Sequence, residues 1–439
     1  MRPLRRTHDC PGRGRHASMK ILIIGGGVIG VTTAYFLASA GHAVTVVERH
    51  AEPGMGASFA NGGLLTPSMA DPWNAPGTLG NLVRWIGRDD APMLLQPRAL
   101  PQLLGWGIRF IRNSSPARFA ENLRCNLRLA QYSLAVLHDI SQSLRLTYDQ
   151  AGVGTLMIFR TRESFEAAVR RNQELQPLGL RAEPVPDPAR LVELEPALRS
   201  IGSQLTGGIH FPDDRSGDAR LFTLSLAQHA RELGVRFLFD TDVVGVLTSG
   251  NRITAMTTSS QDLTADTYVI AAGVHSTSLL RQLRINLPVV PAKGYSIGIA
   301  QSAEHTPPRM PVIDNDLHAA VTPIGRWLRV AGTAEFDGLR SDIRPARVQN
   351  LVRLFQRLYP HHPIPGDPRA LNAWTGFRPM SADGVPILGR TSIDNLYLNT
   401  GHGHLGWTMA AGSGRAVSDL ISGGHPQIDV EPYALGRFQ

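Results

Sequence analysis

Residues 20–24, Lys-Ile-Leu-Ile-Ile, run directly into Gly25-Gly-Gly-Val-Ile-Gly30. An uninterrupted apolar run of this length reads as a strand buried on both faces. Val31 to Ala40 then reads as a helix, and Gly41 stands where a glycine can end one in a left-handed turn. Ala43–Val47 reads as a second strand, ending at Glu48. A G-x-G-x-x-G turn between strand and helix, with an acid 18 residues past its last glycine, predicts a dinucleotide-binding β-α-β unit. Gly25 permits the tight turn, Gly27 lets backbone approach a pyrophosphate, and Gly30 lets helix and strand pack closely. Val28 and Ile29 lie where a helix N-terminus offers free N–H groups and positive charge to phosphates. Glu48, followed by Arg49, can accept hydrogen bonds from ribose hydroxyls. A glycine-rich turn without a ligand is the weaker reading, because strand, helix and acid are all in place.

Farther along, residues 51–80 form a loop rich in glycine, proline and asparagine, long enough to suggest function. Its Ser58, Asn61 and Gly62 join the expected cofactor contacts. Residues 119–146 carry Leu123, Leu127, Ala130, Leu134, Leu137, Ile140 and Leu144, the spacing of an amphipathic helix. From 205 onward short strands are expected, at 235–239, 243–247, 253–257 and 267–270. Val243 and Val244 are expected near the cofactor, as are Ala271 and Gly273, where small residues let a backbone pass close to a ligand. Strand character continues at 328–332, a helix is expected over 344–359, and 395–399 reads as a last buried strand. It leads into Thr400-Gly-His-Gly-His-Leu-Gly406 and a helix to about 421. This second glycine-rich strand-to-helix element, with Gly401, His402, Gly403, Leu405, Gly406, Trp407 and Thr408, is poised to meet another part of a long cofactor. Its helix N-terminus would stabilise negative charge there. An ordinary capped terminal helix is the alternative.

Of the formal charge of +8, half lies in residues 1–18. The remainder is a weak signal for nucleic acid, and no aromatic-and-basic cluster suits single strands. The arginine-rich first 18 residues lack an apolar stretch after Arg5-Arg6 and read as a disordered leader, with Met19 as the working start. Cys10 and Cys125 form no CxxC pair, which fits a reducing, cytoplasmic setting and no thiolate metal site. No run of 18 apolar residues predicts a membrane span. Segment 82–112 sets Trp85, Trp106, Ile86, Leu94, Leu95, Leu103, Leu104, Ile108 and Phe110 beside several arginines. Packing over a substrate site is the favoured reading; contact with a membrane surface or electron acceptor is the second.

Longer motifs carry a family resemblance. Asn61-Gly-Gly-Leu-Leu-Thr-Pro-Ser, Asp71-Pro-Trp-Asn-Ala-Pro-Gly, Leu205-Thr-Gly-Gly, Leu287-Pro-Val-Val-Pro-Ala-Lys-Gly-Tyr-Ser, Trp374-Thr-Gly-Phe-Arg-Pro-Met-Ser-Ala-Asp-Gly and Leu398-Asn-Thr-Gly-His-Gly-His-Leu-Gly-Trp-Thr-Met resemble the bacterial D-amino acid dehydrogenase small subunit, of the D-amino acid oxidase superfamily. The resemblance runs from about Met19 to the C-terminus. It implies an α/β fold in which a Rossmann-type FAD-binding domain (19–80, 205–280, 381–439) interleaves with an α+β substrate domain built on a mixed sheet (81–204, 281–380). It implies FAD, and oxidation of a D-amino acid at Cα to the imino acid. It places a carboxylate-binding arginine at Arg378, a residue type that can fork two hydrogen bonds onto a carboxylate. Tyr295 either offers its hydroxyl to the substrate or is a core tyrosine with that hydroxyl satisfied. His402 is expected at the flavin or the backbone; the H-x-H pair lacks a third metal ligand. His404 and His318 depart from the family pattern and are expected to shape the substrate pocket, which makes a cyclic substrate such as D-proline or D-hydroxyproline a candidate. The resemblance favours a quinone or respiratory carrier over oxygen as acceptor. A glycine- or sarcosine-type oxidase and a non-catalytic flavin-binding subunit are the rival readings.

Overall fold

The computed structural model describes residues 18–78, 80, 85–88, 91, 93–301 and 306–438. The expected leader therefore lies, but for Ser18, outside the described residues. The elements that position the site begin with β1 (Lys20–Ile24), α1 (Val28–Ser39), β2 (Ala43–Val47), α2 (Leu100–Arg112) and α3 (Pro116–Leu144). They continue with β3 (Thr155–Phe159), β4 (Glu183–Val185), β5 (Gly207–Phe211), β6 (Arg236–Leu238), β7 (Thr267–Ile270), β8 (Val289–Ala300) and β9 (Val312–Asp314). The chain closes through β10 (Ala319–Ile324), β11 (Trp327–Phe336), β12 (Trp374–Ser381), β13 (Ile387–Arg390), β14 (Leu396–Thr400) and α4 (Gly406–Ile421).

Among the described residues, six strands make one sheet in the order β13-β14-β7-β1-β2-β6, parallel except for β13. β1 sits inside it, and its alternation explains its unbroken apolar sequence. Ile21 and Ile23 pack with Ala34 and Leu37 of α1 and Val417 of α4. Leu22 and Ile24 face the other way, into a core with Val243, Ile253 and Met256 from a three-stranded antiparallel sheet. Helix α1 starts at Val28 rather than Val31, because the turn glycines already take helical partners: Val31 N–H donates to Gly27 O at 3.0 Å. Gly41 follows its end at φ +92°.

A second, nine-stranded mixed sheet runs β12-β8-β11-β10-β9-β3-β5-β4, with the short strand Met93–Leu95 paired to β11. One face is covered by helix Pro345–Leu358, whose Leu351 and Phe355 join Tyr295, Ile297 and Val330 in a single core.

Two segments lie across the expected division. β5, expected with the cofactor-binding part, hydrogen-bonds to β3 and β4 in the larger sheet. Helix α3, expected with the substrate part, packs its Leu129 and Ala130 into the core of Ile21 and Val417, and its Leu134 and Leu137 beside Val28 and Trp407. Small residues allow that approach. A Cβ on Gly412 of α4 would stand 2.8 Å from Ser133 of α3, and one on Gly414 would stand 2.8 Å from Thr32 Oγ1 of α1.

Candidate active site

A cavity of about 1160 Å³ runs past the carboxyl ends of β1, β2, β7 and β14 and over the inner face of the larger sheet, the position at which open α/β sheets take ligands. At one end stands the first glycine turn. Gly25 adopts φ +110°, and a Cβ there would come 2.5 Å from Ala271 O. A Cβ on Gly30 would fall 1.8 Å from Gly25 O, so Gly30 packs helix on turn and does not line the cavity. At Gly27 the nearest atom to such a Cβ is Ser58 Oγ, at 3.7 Å, which leaves that backbone open to a ligand. Ser58 Oγ accepts from the Val28 N–H at 3.1 Å and so braces the first turn of α1. The buried Glu48 carboxylate is fixed by N–H groups of Gly26, at 2.6 Å, and His50, at 3.0 Å. Arg49, Ile29, Asn61, Gly62, Val243, Ala271 and Gly273 line the same cavity, Gly62 against Ala331 of the larger sheet. Val244 does not: strand alternation buries Val243 and leaves Val244 56% exposed, outside the cavity.

The second glycine element meets the cavity from the other side. Gly401 makes the turn at φ +76° behind the wall, and His402 to Thr408 line the wall itself. Trp407 and Thr408 are also structural: the indole donates to Gly217 O at 3.1 Å, and Thr408 Oγ1 accepts from the Thr66 N–H at 3.1 Å. Burial pulls His402 down to about 3, so its ring is neutral. His402 Nε2 lies 3.1 Å from Ser413 Oγ, while the buried Nδ1 has no partner among the described residues. A buried ring nitrogen of this kind in a cavity wall suits a hydrogen bond to a bound group.

FAD fits this set. Gly25, Gly27, Val28, Ser58 and Glu48 would hold its adenosine diphosphate end, and the turn from His402 to Gly406 its flavin end. Among the described residues, no three His, Cys, Asp or Glu side chains converge on a metal position.

The substrate end lies against β8, β11 and β12. Arg378 is half-buried on the cavity wall, and desolvation alone pulls its guanidinium down to about 10. No acid pairs with it among the described residues; one N–H donates to Thr333 O at 3.3 Å. Its guanidinium lies 5.7 Å from the ring of Trp73 and fills space that a Cβ on Gly294 would occupy. His404 stacks on the same Trp73 ring, with centroids 5.5 Å apart, and its Nε2 lies 3.1 Å from Met69 O. His318 sits on the β9–β10 turn in a left-handed conformation, φ +52°, and lines the cavity while still exposed.

Of the two readings of Tyr295, the structure takes the satisfied core tyrosine and not the substrate donor. Its hydroxyl proton goes to Glu335 Oε2 at 2.6 Å. Glu335 is fully buried and also accepts from Gln96 and Arg344, both at 3.1 Å, with Lys293 Nζ at 3.4 Å. Burial would raise the Glu335 carboxyl, but the hydrogen bonds from Tyr295 and Gln96 and the charges of Lys293 and Arg344 hold it below its ordinary value. Two site residues escaped the sequence reading. Trp73 lay in a quoted motif without a role. Thr333 is the extra residue of a β-bulge, opposite the Gly294–Tyr295 step, with φ +59° and a buried hydroxyl that has no partner among the described residues. Neither spacing nor residue type announces such a bulge.

The family profile described as "DAO: FAD dependent oxidoreductase" matches residues 20–420. A D-amino acid dehydrogenase of Bradyrhizobium diazoefficiens is 40% identical over 420 residues, 96% of this chain and 99% of the relative. One of Methylobacterium radiotolerans is 42% identical over 421 residues, 96% of this chain and 100% of the relative. In fold, the chain is similar to L-proline dehydrogenase from P. horikoshii, with TM-score 0.74 and 21% identity over 96% of this chain and 98% of that one. It is equally similar to glycine oxidase from Geobacillus kaustophilus, with TM-score 0.74 and 21% identity over 95% and 98%. The chain belongs to the DAO family of FAD-dependent oxidoreductases.

Proposed function

We propose that this enzyme is an FAD-dependent dehydrogenase that oxidises a D-amino acid at Cα to its imino acid. One observation carries the reading of the site: Arg378 is a half-buried, desolvated cation without an acid among the described residues, on the cavity wall that also holds the second glycine turn. A buried charge is costly unless something pairs with it, and an α-carboxylate offers the bidentate partner a guanidinium takes best. The D configuration and the dehydrogenase label rest on the two relatives.

Arg378, braced by Thr333 O and Trp73, binds and orients the carboxylate. Held that way, the substrate spends its orientational freedom on binding rather than at the barrier. The amine nitrogen sheds a proton, and the Cα–H bond breaks with its electron pair. The residues named above would hold FAD, which would supply the hydride acceptor. The imino acid is then hydrolysed to a 2-oxo acid and ammonia, or stays a cyclic imine when the substrate is a ring such as D-proline. His318 and His404 shape the cavity that makes this choice.

Electrons pass onward to a quinone or respiratory carrier. Helix α2 is suited to a peripheral membrane contact: Leu104 and Ile108 are 66% and 47% exposed, while Phe110 and Trp106 anchor its inner face.

Anaerobic bleaching of the bound flavin by a panel of D- and L-amino acids, D-proline, cis-4-hydroxy-D-proline and sarcosine tests the proposal. Bleaching by D-amino acids is expected. Bleaching by sarcosine alone, or stoichiometric peroxide in air, would overturn it in favour of an oxidase. No bleaching by any of them would point to a non-catalytic flavin subunit.

A further inference from the structure

We propose that His404 holds the substrate's amine, accepting an N–H at its Nδ1. The inference rests on the reading that Arg378 takes the carboxylate. Met69 O can only accept, so the ring nitrogen facing it at 3.1 Å, Nε2, carries the proton. In a neutral imidazole the other nitrogen then has a bare lone pair. Nδ1 has no hydrogen-bond partner among the described residues, and His404 lines the cavity.

The ring is also held in place. It stacks on Trp73 at an interplanar angle of 24°, and Arg378 lies over that same indole. Cation and acceptor therefore share one aromatic platform. An α-amino acid needs such a pair, because its carboxylate and its nitrogen are both attached to Cα. Burial keeps the imidazole neutral, holding it near 4; the Met69 bond works against this and the charge of Arg378 adds to it. A neutral acceptor suits the reaction, since hydride leaves Cα only when the nitrogen lone pair is free to form the imine. It also suits a cyclic secondary amine, whose neutral form has a single N–H for Nδ1 to take.

The test separates the two halves of the substrate. In the holoenzyme, propionate binding is read from the perturbed flavin spectrum, and KM and kcat are measured for the D-amino acid that reduces the flavin best. H404L should raise KM about tenfold or more, the loss typical of one substrate hydrogen bond with its polar partner left unmet. It should leave propionate affinity within about threefold. H404N, whose side-chain amide oxygen can stand near the former Nδ1, should recover most of the loss. R378L should lose both ligands. The proposal is overturned if H404L weakens propionate as much as the amino acid, which is the signature of a merely structural role. It is equally overturned if H404L leaves KM unchanged. If wild-type holoenzyme binds no propionate, the carboxylate reading of Arg378 falls, and the amine assignment falls with it.

Discussion

Two charged residues, the half-buried Arg378 and the fully buried Glu335, behave oppositely because one has partners and the other awaits one. Removing Arg378 strands no charge among the described residues and gives up one long hydrogen bond, to Thr333 O. R378L is therefore expected to keep or raise the melting temperature while kcat/KM falls about a thousandfold or more. R378K keeps charge but loses the fork and should fall between. Steady-state kinetics beside a thermal melt check both. E335Q does the reverse: it strands Lys293 and Arg344 beside a neutral amide, and breaking a buried pair costs about 3–5 kcal/mol. A marked drop in melting temperature is expected even though Glu335 does not line the cavity. The histidines give a pH test. His404 is held near 4 and His402 near 3, both below the ordinary 6.5. Below 6.5 the unfolded chain binds protons that the folded chain refuses, so stability falls as pH drops from 6.5 toward 4. Each should contribute a loss on the order of 1–2 kcal/mol by pH 5. Melting curves from pH 7 to 5 should show it, and H404L should flatten the slope. The place of Arg378 on the cavity wall was legible in the sequence because its motif is contiguous. The fate of the Tyr295 hydroxyl was not, because its partner Glu335 lies 40 residues away on a neighbouring strand.

The glycines of the first turn separate by what a methyl group would meet. At Gly30 the added carbon strikes backbone, Gly25 O at 1.8 Å, which has no flexible end to move aside. At Gly27 it meets nothing closer than 3.7 Å and projects toward the cavity. G30A should therefore fail to give folded holoenzyme, whereas G27A should fold and bind FAD more weakly, by about tenfold or more. Flavin absorbance after desalting, read beside circular dichroism, separates the two outcomes. This turn was legible because β1, its glycines and Glu48 are local and periodic. Helix α3 shows where local pattern stops. Its heptad-like stripe says that one face is buried, but not whose core buries it. The answer sits in Ser133 and Gly412, small residues 279 positions apart that are joined by a hydrogen bond. A hydrophobic pattern cannot register that complementarity.

At the scale of the whole molecule, FAD binding should couple the two sheets, because the cavity takes its wall from both. Removing FAD should lower the melting temperature, and each hundredfold excess of FAD over its dissociation constant should restore about 2.7 kcal/mol. The proposed peripheral membrane contact belongs to helix α2. No described helix is long and apolar enough to cross a membrane. Yet Leu100, Leu104, Ile108 and Ile111 are 38%, 66%, 47% and 45% exposed, and their spacing puts them on one face of α2. Arg109 and Arg112 lie on α2 and Arg118 just beyond it, while Arg98 is paired with Asp337. An apolar stripe beside these arginines suits an anionic lipid surface. On the inner face, the Trp106 indole donates to Met380 O, and the Met380 sulfur lies against Gly403 of the second glycine turn. A surface docked through α2 is thus only a few side chains from the flavin end. The wild-type protein should sediment with vesicles containing anionic phospholipid and less so as salt rises, since the arginines supply the screened part. Replacing Leu104 and Ile108 together by serine should cut that binding about tenfold or more, while turnover with a soluble dye stays within about twofold. Equal sedimentation of the two proteins would show that the stripe does not touch lipid.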